Sequence, residues 1–183
     1  MSAPSPRVAP LSAPFEPAVK ETFDRIMPPG VPPLSLFTSL ARVPRVWERF
    51  RGGSLLDKGA LSLRQREIVI DRTCGRLGCE YEWGVHIAFF AERVGLDPEQ
   101  IRATAHGTKD ESVWSVDERL LVTLVDELCD TATVSDRLWT ELEKALSLDQ
   151  ILELILLVGF YHSVSFLANA MKLPRESFAP SFP

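Results

Sequence analysis

Residues 67–95 of this chain have the sequence EIVIDRTCGRLGCEYEWGVHIAFFAERVG, and this stretch decides the fold. The pattern predicts two helices that meet at a short turn marked by Gly75 and Gly78. The stretch also contains two of the three cysteines and one of the three histidines of the chain. We therefore expect one helical hairpin to carry both the centre of the fold and the chemistry.

Reactive side chains fall on one face of each predicted helix, at spacings of i, i+4, i+7 and i, i+3, i+7. They are Glu67, Asp71 and Cys74 on the first helix and Cys79, Glu82 and His86 on the second. If the two helices pack antiparallel, a thiol, carboxylates and an imidazole share one cleft. Potentially reactive side chains are more concentrated here than in the rest of the sequence.

The rest of the chain is also predicted to be helical, because no alternating strand pattern occurs anywhere in it. Several predicted helices follow a residue suited to N-capping. These residues are Ser62, Asp97, Ser115, Ser135 and Ser147. Residues 1–33 are predicted to form a Pro-rich arm with a possible short helix, and residues 34–183 a single helical domain. The sequence therefore predicts an all-α fold.

Composition excludes several classes of protein. The net charge is −5 and no cluster of Lys and Arg is present, so we expect no nucleic-acid partner. Three cysteines do not suggest a secreted disulfide framework, and the N-terminus lacks the apolar segment of a signal peptide, so a cytoplasmic location is expected. The apolar last helix is interrupted by polar residues, which favours burial in a core or subunit interface over a membrane span.

From about Leu61 to Ile101 the chain resembles the carboxymuconolactone decarboxylase family, which includes the alkyl hydroperoxidase D-like (AhpD-like) proteins. The matching residues are Glu67, then Cys79-x-Tyr81-Glu82-Trp83-x-x-His86, then Gly95-Leu96. The resemblance implies an AhpD-like all-helical fold built on an antiparallel hairpin. It also implies a homo-oligomer (a dimer, trimer or hexamer) with the last helix partly at a subunit interface.

The family includes thiol peroxidases, and this sequence matches them in part. Those members use Cys-x-x-Cys, with a histidine four residues after the second cysteine and a glutamate twelve before the first. Glu67, Cys79 and His86 fit that pattern. Glu82 stands in place of the second cysteine, and Tyr81 replaces a histidine of the proton relay. A dithiol cycle would therefore need another resolving thiol.

The decarboxylase members of the family carry a carboxylate four residues before the histidine, as Glu82 and His86 do here. A decarboxylation needs a site that accepts an enolate-like intermediate and returns a proton. A histidine suits that step, and a nearby carboxylate orients it or raises its pKa. This chemistry requires neither a metal nor an organic cofactor.

These features favour a cofactor-free lyase or proton-transfer enzyme that acts on a small organic acid or lactone. His86 is the predicted general acid and base, Glu82 and Glu67 orient it or relay protons, and Cys79 lies in the cleft. One alternative is a thiol peroxidase or disulfide reductase that uses Cys79, with Cys74 or an external thiol resolving. The other is a non-enzymatic helical oligomer that binds a small ligand.

Structural roles for the same residues stay open. Cys79 is either a reactive thiol at a helix start or a small buried residue, and His86 is either catalytic or a hydrogen-bonded core histidine. Tyr161 and His162 could line the cleft if a second helical hairpin faces the first, but a packing role is favoured. No metal site is expected, because no compact set of four Cys and His ligands occurs. The residues predicted to line the substrate pocket are Tyr81, Trp83, Phe90 and Cys74.

Overall fold

The computed structural model describes residues 5–55, 57–107 and 112–183. Across these residues the chain forms helices and no strands, which confirms the all-α prediction. The helices are α1 (Pro17–Ile26), α2 (Ser35–Leu40), α3 (Pro44–Arg51), α4 (Leu63–Arg76), α5 (Glu80–Phe90), α6 (Pro98–His106), α7 (Val116–Thr131), α8 (Asp136–Ala145) and α9 (Leu148–Met171). The sequence also predicts a polar loop at residues 106–114, and residues 108–111 of it lie outside the described residues.

The predicted caps start the helices as expected. The side-chain oxygen of each capping residue accepts a hydrogen bond from a backbone amide in the first turn, which satisfies a donor without a helical partner. The capped starts are Ser62 of α4, Asp97 of α6, Ser115 of α7, Ser135 of α8 and Ser147 of α9. Short-range hydrogen bonds therefore fix where these helices begin.

The predicted hairpin is present as α4 and α5. Gly78 has a φ of +59°, and the amide of Cys79 donates to the carbonyl of Cys74 at 2.8 Å, so the chain reverses within a few residues. The sequence predicts that Gly95 closes the second helix, but α5 is shorter and ends at Phe90. Hydrogen-bonded turns connect it to Gly95, which has a φ of +67°.

Helix α4 is the centre of the fold and packs against α5, α6, α7 and α9. Arg72 of α4 is buried and forms an ion pair with Asp126 of α7, and it also donates to the carbonyl of Gly107 at 2.8 Å. The central position of α4 explains why its charged residues face other helices rather than solvent. Each of them consequently needs a partner in the interior.

Both ends of the described chain pack on the helices. The amide of Arg7 donates to the carbonyl of Met171 at 2.8 Å, so the described part of the arm lies against the end of α9. At the other terminus, the ring of Phe182 lies 5.1 Å from that of Trp83. Glu176 accepts a hydrogen bond from the hydroxyl of Tyr81 at 2.6 Å. The C-terminal tail thus covers the outer side of α5.

Helix α9 is the described helix that is long and apolar enough to span a membrane by length and composition. In this structure 44% of its apolar window is buried within the protein. Leu154, Val158 and Tyr161 lie on its buried side. One face of α9 therefore belongs to the core of the chain, as the sequence predicts.

Candidate active site

His86 is held between groups from three helices. Its Nδ1 lies 2.6 Å from Oε2 of Glu67 on α4. Its Nε2 lies 3.0 Å from the hydroxyl of Tyr161 on α9 and 3.5 Å from Oε1 of Glu82 one turn earlier on α5. The sequence predicted that Glu67, Glu82 and His86 would meet, and the structure places them together. For Tyr161 the sequence favoured packing and left a place in the cleft as the alternative, and the structure places its hydroxyl against His86.

Both carboxylates act on the charge of His86. Burial by itself would lower the pKa of this imidazole, since it disfavours the charged form. The negative charge of Glu67, its hydrogen bond to Nδ1 and the contact with Glu82 act in the opposite direction and raise the pKa of His86 to about 10. The imidazole is therefore a cation at neutral pH. Nδ1 donates to Glu67, and Nε2 has a proton to share with Tyr161 or Glu82.

Asp71 lies one turn after Glu67 on the same face of α4. It is 1% exposed, and its Oδ1 has no hydrogen-bond partner. Burial raises the pKa of Asp71 well above its usual value, and the charge of Glu67 adds to this, whereas that of His86 opposes it. Asp71 therefore holds a proton more strongly than an exposed aspartate does.

Glu67, Asp71 and His86 could also supply three metal ligands, because one ligand atom from each lies within 4.8 Å of the others. The sequence did not predict this grouping. The hydrogen bond between Glu67 and His86 and the raised pKa of Asp71 both oppose cation binding. A metal would need all three groups deprotonated.

The two hairpin cysteines also meet. The thiol of Cys74 donates a hydrogen bond to the sulfur of Cys79, and Ser165 of α9 lies beside the pair, with its Oγ 4.0 Å from the Cys74 sulfur. The bond from Cys74 lowers the pKa of Cys79, burial opposes it, and the backbone amide of Glu82 again lowers it. Burial and the bond to Cys79 raise the pKa of Cys74. The sequence left open whether these thiols could reach each other.

A small cavity adjoins the catalytic candidates. Its volume is about 130 Å³, and its walls are mainly aromatic and aliphatic. The lining residues are Ile26, Phe37, Trp47, Phe50, Arg51, Ser54, Glu82, Phe160, Tyr161 and Val164. Glu82 and Tyr161, the two groups that contact Nε2 of His86, both face this cavity. A molecule bound there would therefore lie next to the histidine's proton.

Two buried polar atoms near the cavity lack a hydrogen-bond partner among the described residues. They are Nε1 of Trp47, a donor, and Oε2 of Glu82, an acceptor. An unpaired buried polar group typically costs about 1–3 kcal/mol. Both atoms belong to cavity-lining side chains, so a bound molecule with one acceptor and one donor would satisfy both.

The four residues predicted to line a substrate pocket are not among those that line this cavity. Tyr81 bonds to Glu176, Trp83 donates to the hydroxyl of Thr104 at 2.9 Å, and the ring of Phe90 lies 5.4 Å from that of His86. Cys74 contacts the other thiol. Tyr81 and Trp83 hold the C-terminal tail and α6 against the hairpin.

The cavity walls that sequence reasoning missed come from α1 to α3 and from α9. Tyr161 is the most important of these, since it contacts both His86 and the cavity. Because its neighbours in the sequence are apolar, the pattern favoured an ordinary core residue at this position. Trp47 gave no signal at all, because nothing in its local pattern connects α3 to the hairpin.

Comparisons with known proteins support the family resemblance and the fold. Residues 41–110 match the model of the carboxymuconolactone decarboxylase family, which confirms the predicted resemblance over that part of the chain. The matched segment includes Glu67, Cys79, Glu82 and His86, but neither the arm nor α9. No curated protein matches the chain by sequence.

Solved structures share the fold over nearly the whole chain. An uncharacterized peroxidase-related protein from Silicibacter sp. TM1040 has a TM-score of 0.82 at 14% identity, with 99% of each chain covered. An uncharacterized peroxidase-related protein with an alkylhydroperoxidase AhpD core, from Ralstonia eutropha JMP134, has a TM-score of 0.83 at 14% identity, covering 96% of this chain and 95% of that one.

The debrominase Bmp8 is a third similar structure. A cysteine-to-alanine variant of it, solved in complex with 2,3,4-tribromopyrrole, has a TM-score of 0.74 at 14% identity, covering 93% of this chain and 92% of that one. At these identities the likeness establishes the AhpD-like fold. It leaves the reaction of the present chain to be argued from its own residues.

Proposed function

We propose that this chain, whose residues 41–110 match the carboxymuconolactone decarboxylase family, is a proton-transfer enzyme of the carboxy-lyase type. Its substrate would be a small, mainly apolar organic acid or lactone. One observation carries the proposal: the two cavity-lining groups Glu82 and Tyr161 both contact the same nitrogen of His86.

The relay runs from the buried carboxylate to the cavity. Glu67 stabilises the imidazolium of His86, which holds a proton on Nε2 beside Tyr161 and Glu82. When a bound acid loses carbon dioxide, the electron pair of the broken C–C bond stays on the substrate as an enolate-like carbanion. His86 returns one proton to that carbon, directly or through Tyr161, and is reprotonated from solvent. The reaction thus consumes one carboxylate and one proton and forms one protonated product and one carbon dioxide.

The cavity limits the substrate. A volume of about 130 Å³ admits only a small molecule, and its aromatic walls favour a planar or apolar body. Among the described residues that line it, Arg51 is the one cation, and it can attract an acid to the cavity. The debrominase with the same fold takes a small aromatic ring, 2,3,4-tribromopyrrole, which is consistent with this size class. The presence of the cavity also favours catalysis or ligand binding over a purely structural role.

The test compares two buried tyrosines. Candidate lactones and keto acids are first screened for carbon dioxide release and for deuterium incorporation in D₂O. On the active substrate, Tyr161→Phe and His86→Ala should each lower kcat by about 10²–10⁴. Tyr81→Phe, which removes a buried hydroxyl outside the cavity, should keep kcat near wild type. Full turnover by His86→Ala would refute the assignment.

A second candidate function rests on the contact between Cys74 and Cys79. In this thiol peroxidase reaction, the Cys79 thiolate attacks a peroxide oxygen, the O–O bond breaks, and an alcohol or water leaves. The Cys74 thiol then attacks the Cys79 sulfenic acid and releases water as the disulfide forms. The sum is two thiols and one peroxide converted to a disulfide, an alcohol and water. An external dithiol must reduce the pair again.

Mass spectrometry separates the two candidates. After one equivalent of peroxide, the redox reaction predicts a Cys74–Cys79 disulfide in the wild type and a persistent Cys79 sulfenic acid in Cys74→Ser. Cys129 is the internal control, because it is a half-buried free cysteine on another helix, α7. If Cys79 is no more reactive than Cys129, the thiol function is excluded and the Glu82–His86 pair remains.

A further inference from the structure

The indole of Trp47 lies in the wall of the cavity next to His86, and its N–H is a buried donor. The side chain is 3% exposed. Its neighbours include the rings of Phe23, Phe37 and Phe50, with centroids 5.6, 5.6 and 6.3 Å away. These rings have no oxygen or nitrogen, and Nε1 has no hydrogen-bond partner among the described residues. A buried indole N–H usually has a partner, so this donor is suited to an acceptor on a bound molecule.

Two of the other three tryptophans show what distinguishes Trp47. The indole of Trp83 donates to the hydroxyl of Thr104 at 2.9 Å, so its N–H is paired within the protein. Trp114 is 2% exposed and its Nε1 also has no partner among the described residues, but it does not line the cavity. An unpaired N–H alone does not identify a ligand site. At Trp47 the donor and the cavity occur together, and Glu82 in the same cavity wall has an unpaired buried oxygen.

Helix α3 places a cation beside this donor. Trp47 and Arg51 are four residues apart on α3, so they lie on the same face of the helix, and both line the cavity. The side chain of Arg51 is 36% exposed, which puts its charge at the mouth of the cavity rather than inside. Arg51 pairs with the exposed Glu48, and its guanidinium has five N–H donors, enough to bind a second carboxylate.

We propose that Trp47 donates its N–H to the carbonyl oxygen of the substrate, and that the substrate is a 3-oxo acid whose carboxylate meets Arg51. The inference rests on the decarboxylation proposed above. In a 3-oxo acid a single carbon separates the carbonyl group from the carboxylate, so the two groups can reach side chains that leave α3 about 5–6 Å apart. An apolar cavity of about 150 Å³ holds benzene. The volume here, about 130 Å³, therefore suits a five-membered ring.

The hydrogen bond from Trp47 would act on the charge that forms in the reaction. When the bond to the carboxylate breaks and carbon dioxide leaves, the electron pair passes into the adjacent carbonyl group, whose oxygen becomes an enolate oxygen. A donor already in place stabilises this oxygen more than the neutral carbonyl oxygen, and the barrier falls. The proton from His86 then goes to the carbon and restores a ketone. The negative charge of Glu82 disfavours a carboxylate beside it, which keeps the substrate's carboxylate at Arg51.

Binding is tested on the wild type with cyclopentanone, which has the carbonyl group but no carboxylate to lose. The four indole N–H groups of the chain give separate proton–nitrogen-15 NMR signals, assigned by single replacements of tryptophan by phenylalanine. Cyclopentanone should move the Trp47 signal downfield and leave that of Trp83 in place. Methylenecyclopentane has the same shape without the oxygen and should not cause this shift. An unmoved Trp47 signal, or the same movement with both compounds, would overturn the proposal.

Turnover is tested with 2-oxocyclopentane-1-carboxylate, a cyclic 3-oxo acid, as carbon dioxide release above the uncatalysed rate. Trp47→Phe should lower kcat by about 10²–10³-fold, with a smaller change in KM, because the donor acts mainly on the transition state. The matched control is Trp114→Phe, which removes a buried and unpaired N–H that does not line the cavity and should keep kcat near wild type. Circular dichroism confirms that both variants are folded.

The two experiments distinguish the role of Trp47 from the reaction on which it rests. If folded Trp47→Phe decarboxylates the acid at the wild-type rate, the role of Trp47 is refuted and the decarboxylase function stands. If cyclopentanone moves the Trp47 signal but the wild type releases no carbon dioxide from the acid, the carbonyl-binding role is supported, while the 3-oxo acid is refuted as the substrate.

Discussion

Replacing Glu67 by glutamine should lower the pKa of His86 without changing its position. Glutamine keeps the shape of the side chain and a hydrogen-bonding oxygen, but it removes the negative charge 2.6 Å from Nδ1. A nearby opposite charge typically shifts a pKa by about 1–3 units. We therefore expect the pKa of His86 to fall from about 10 by roughly that amount, or about 1.4–4 kcal/mol in the preference for the cation.

Glu82→Gln provides the matched comparison. Its carboxylate oxygen lies 3.5 Å from Nε2, against 2.6 Å for Glu67 and Nδ1. Because Coulomb energy varies inversely with distance, the charge of Glu67 should stabilise the His86 cation by about a third more than that of Glu82 does. The stronger hydrogen bond of Glu67 adds to this difference. The fall in the pKa of His86 should therefore be smaller in Glu82→Gln than in Glu67→Gln.

The assay is a pH titration of the imidazole nitrogens by nitrogen-15 NMR. The chain has three histidines, so single replacements of His106 and His162 assign the remaining signal to His86. If His86 of the wild type titrated near 6.5, or if its pKa were the same in Glu67→Gln, the carboxylates would not be stabilising the cation. The proton relay proposed above would then lose its basis.

Four further predictions concern stability. The pKa of His86 is about 10 in the folded chain and about 6.5 in the unfolded chain. The stability that its protonation provides is therefore complete below about pH 6.5 and is lost as pH rises towards 10. Urea unfolding between these pH values should show a steeper loss of stability in the wild type than in Glu67→Gln. Gly75→Ala should destabilise the fold by about 1–3 kcal/mol, because the new methyl group would overlap the carbonyl oxygen of Thr104, and thermal unfolding measures this. Arg72→Met should destabilise the fold by about 1–3 kcal/mol, because the buried carbonyl oxygen of Gly107 loses its donor while Asp126 keeps its ion pair with Arg76, and an unchanged free energy of unfolding in urea would contradict this reasoning. Ala132→Gly should raise the stability by about 0.5–1 kcal/mol, since Ala132 has a φ of +56°, and an unchanged melting temperature would count against strain at that position.

Much of the fold could be predicted because the signals are local. Capping residues act on amides two or three positions away, and helical spacing aligns side chains within one or two turns. These rules placed the hairpin and the helix starts, and they put Glu67 and His86 on facing surfaces. The end of α5 was harder to predict, since the residues after Phe90 have the same kind of composition as the helix, while the backbone turns towards Gly95.

The residues that were predicted to line the pocket show which features local sequence rules cannot predict. Tyr81 and Trp83 lie beside the key residues in the sequence, yet the C-terminal tail covers them, and no pattern in the hairpin shows that a tail packs there. Tyr161 lies 75 residues from His86 and contacts its imidazole. Its position is set by how α9 packs on α4, which depends on the shapes of both helices together.

By itself, the sequence determined the all-α fold, the central hairpin and the meeting of Glu67, Glu82 and His86, because capping and helical periodicity operate within a few residues. The tertiary structure decided that Cys74 and Cys79 touch, that Tyr161 completes the surroundings of His86, and that a cavity opens beside Glu82. It also decided which face of the apolar α9 stays exposed. These features depend on contacts between segments far apart in the chain, and only the packing of whole helices determines such contacts.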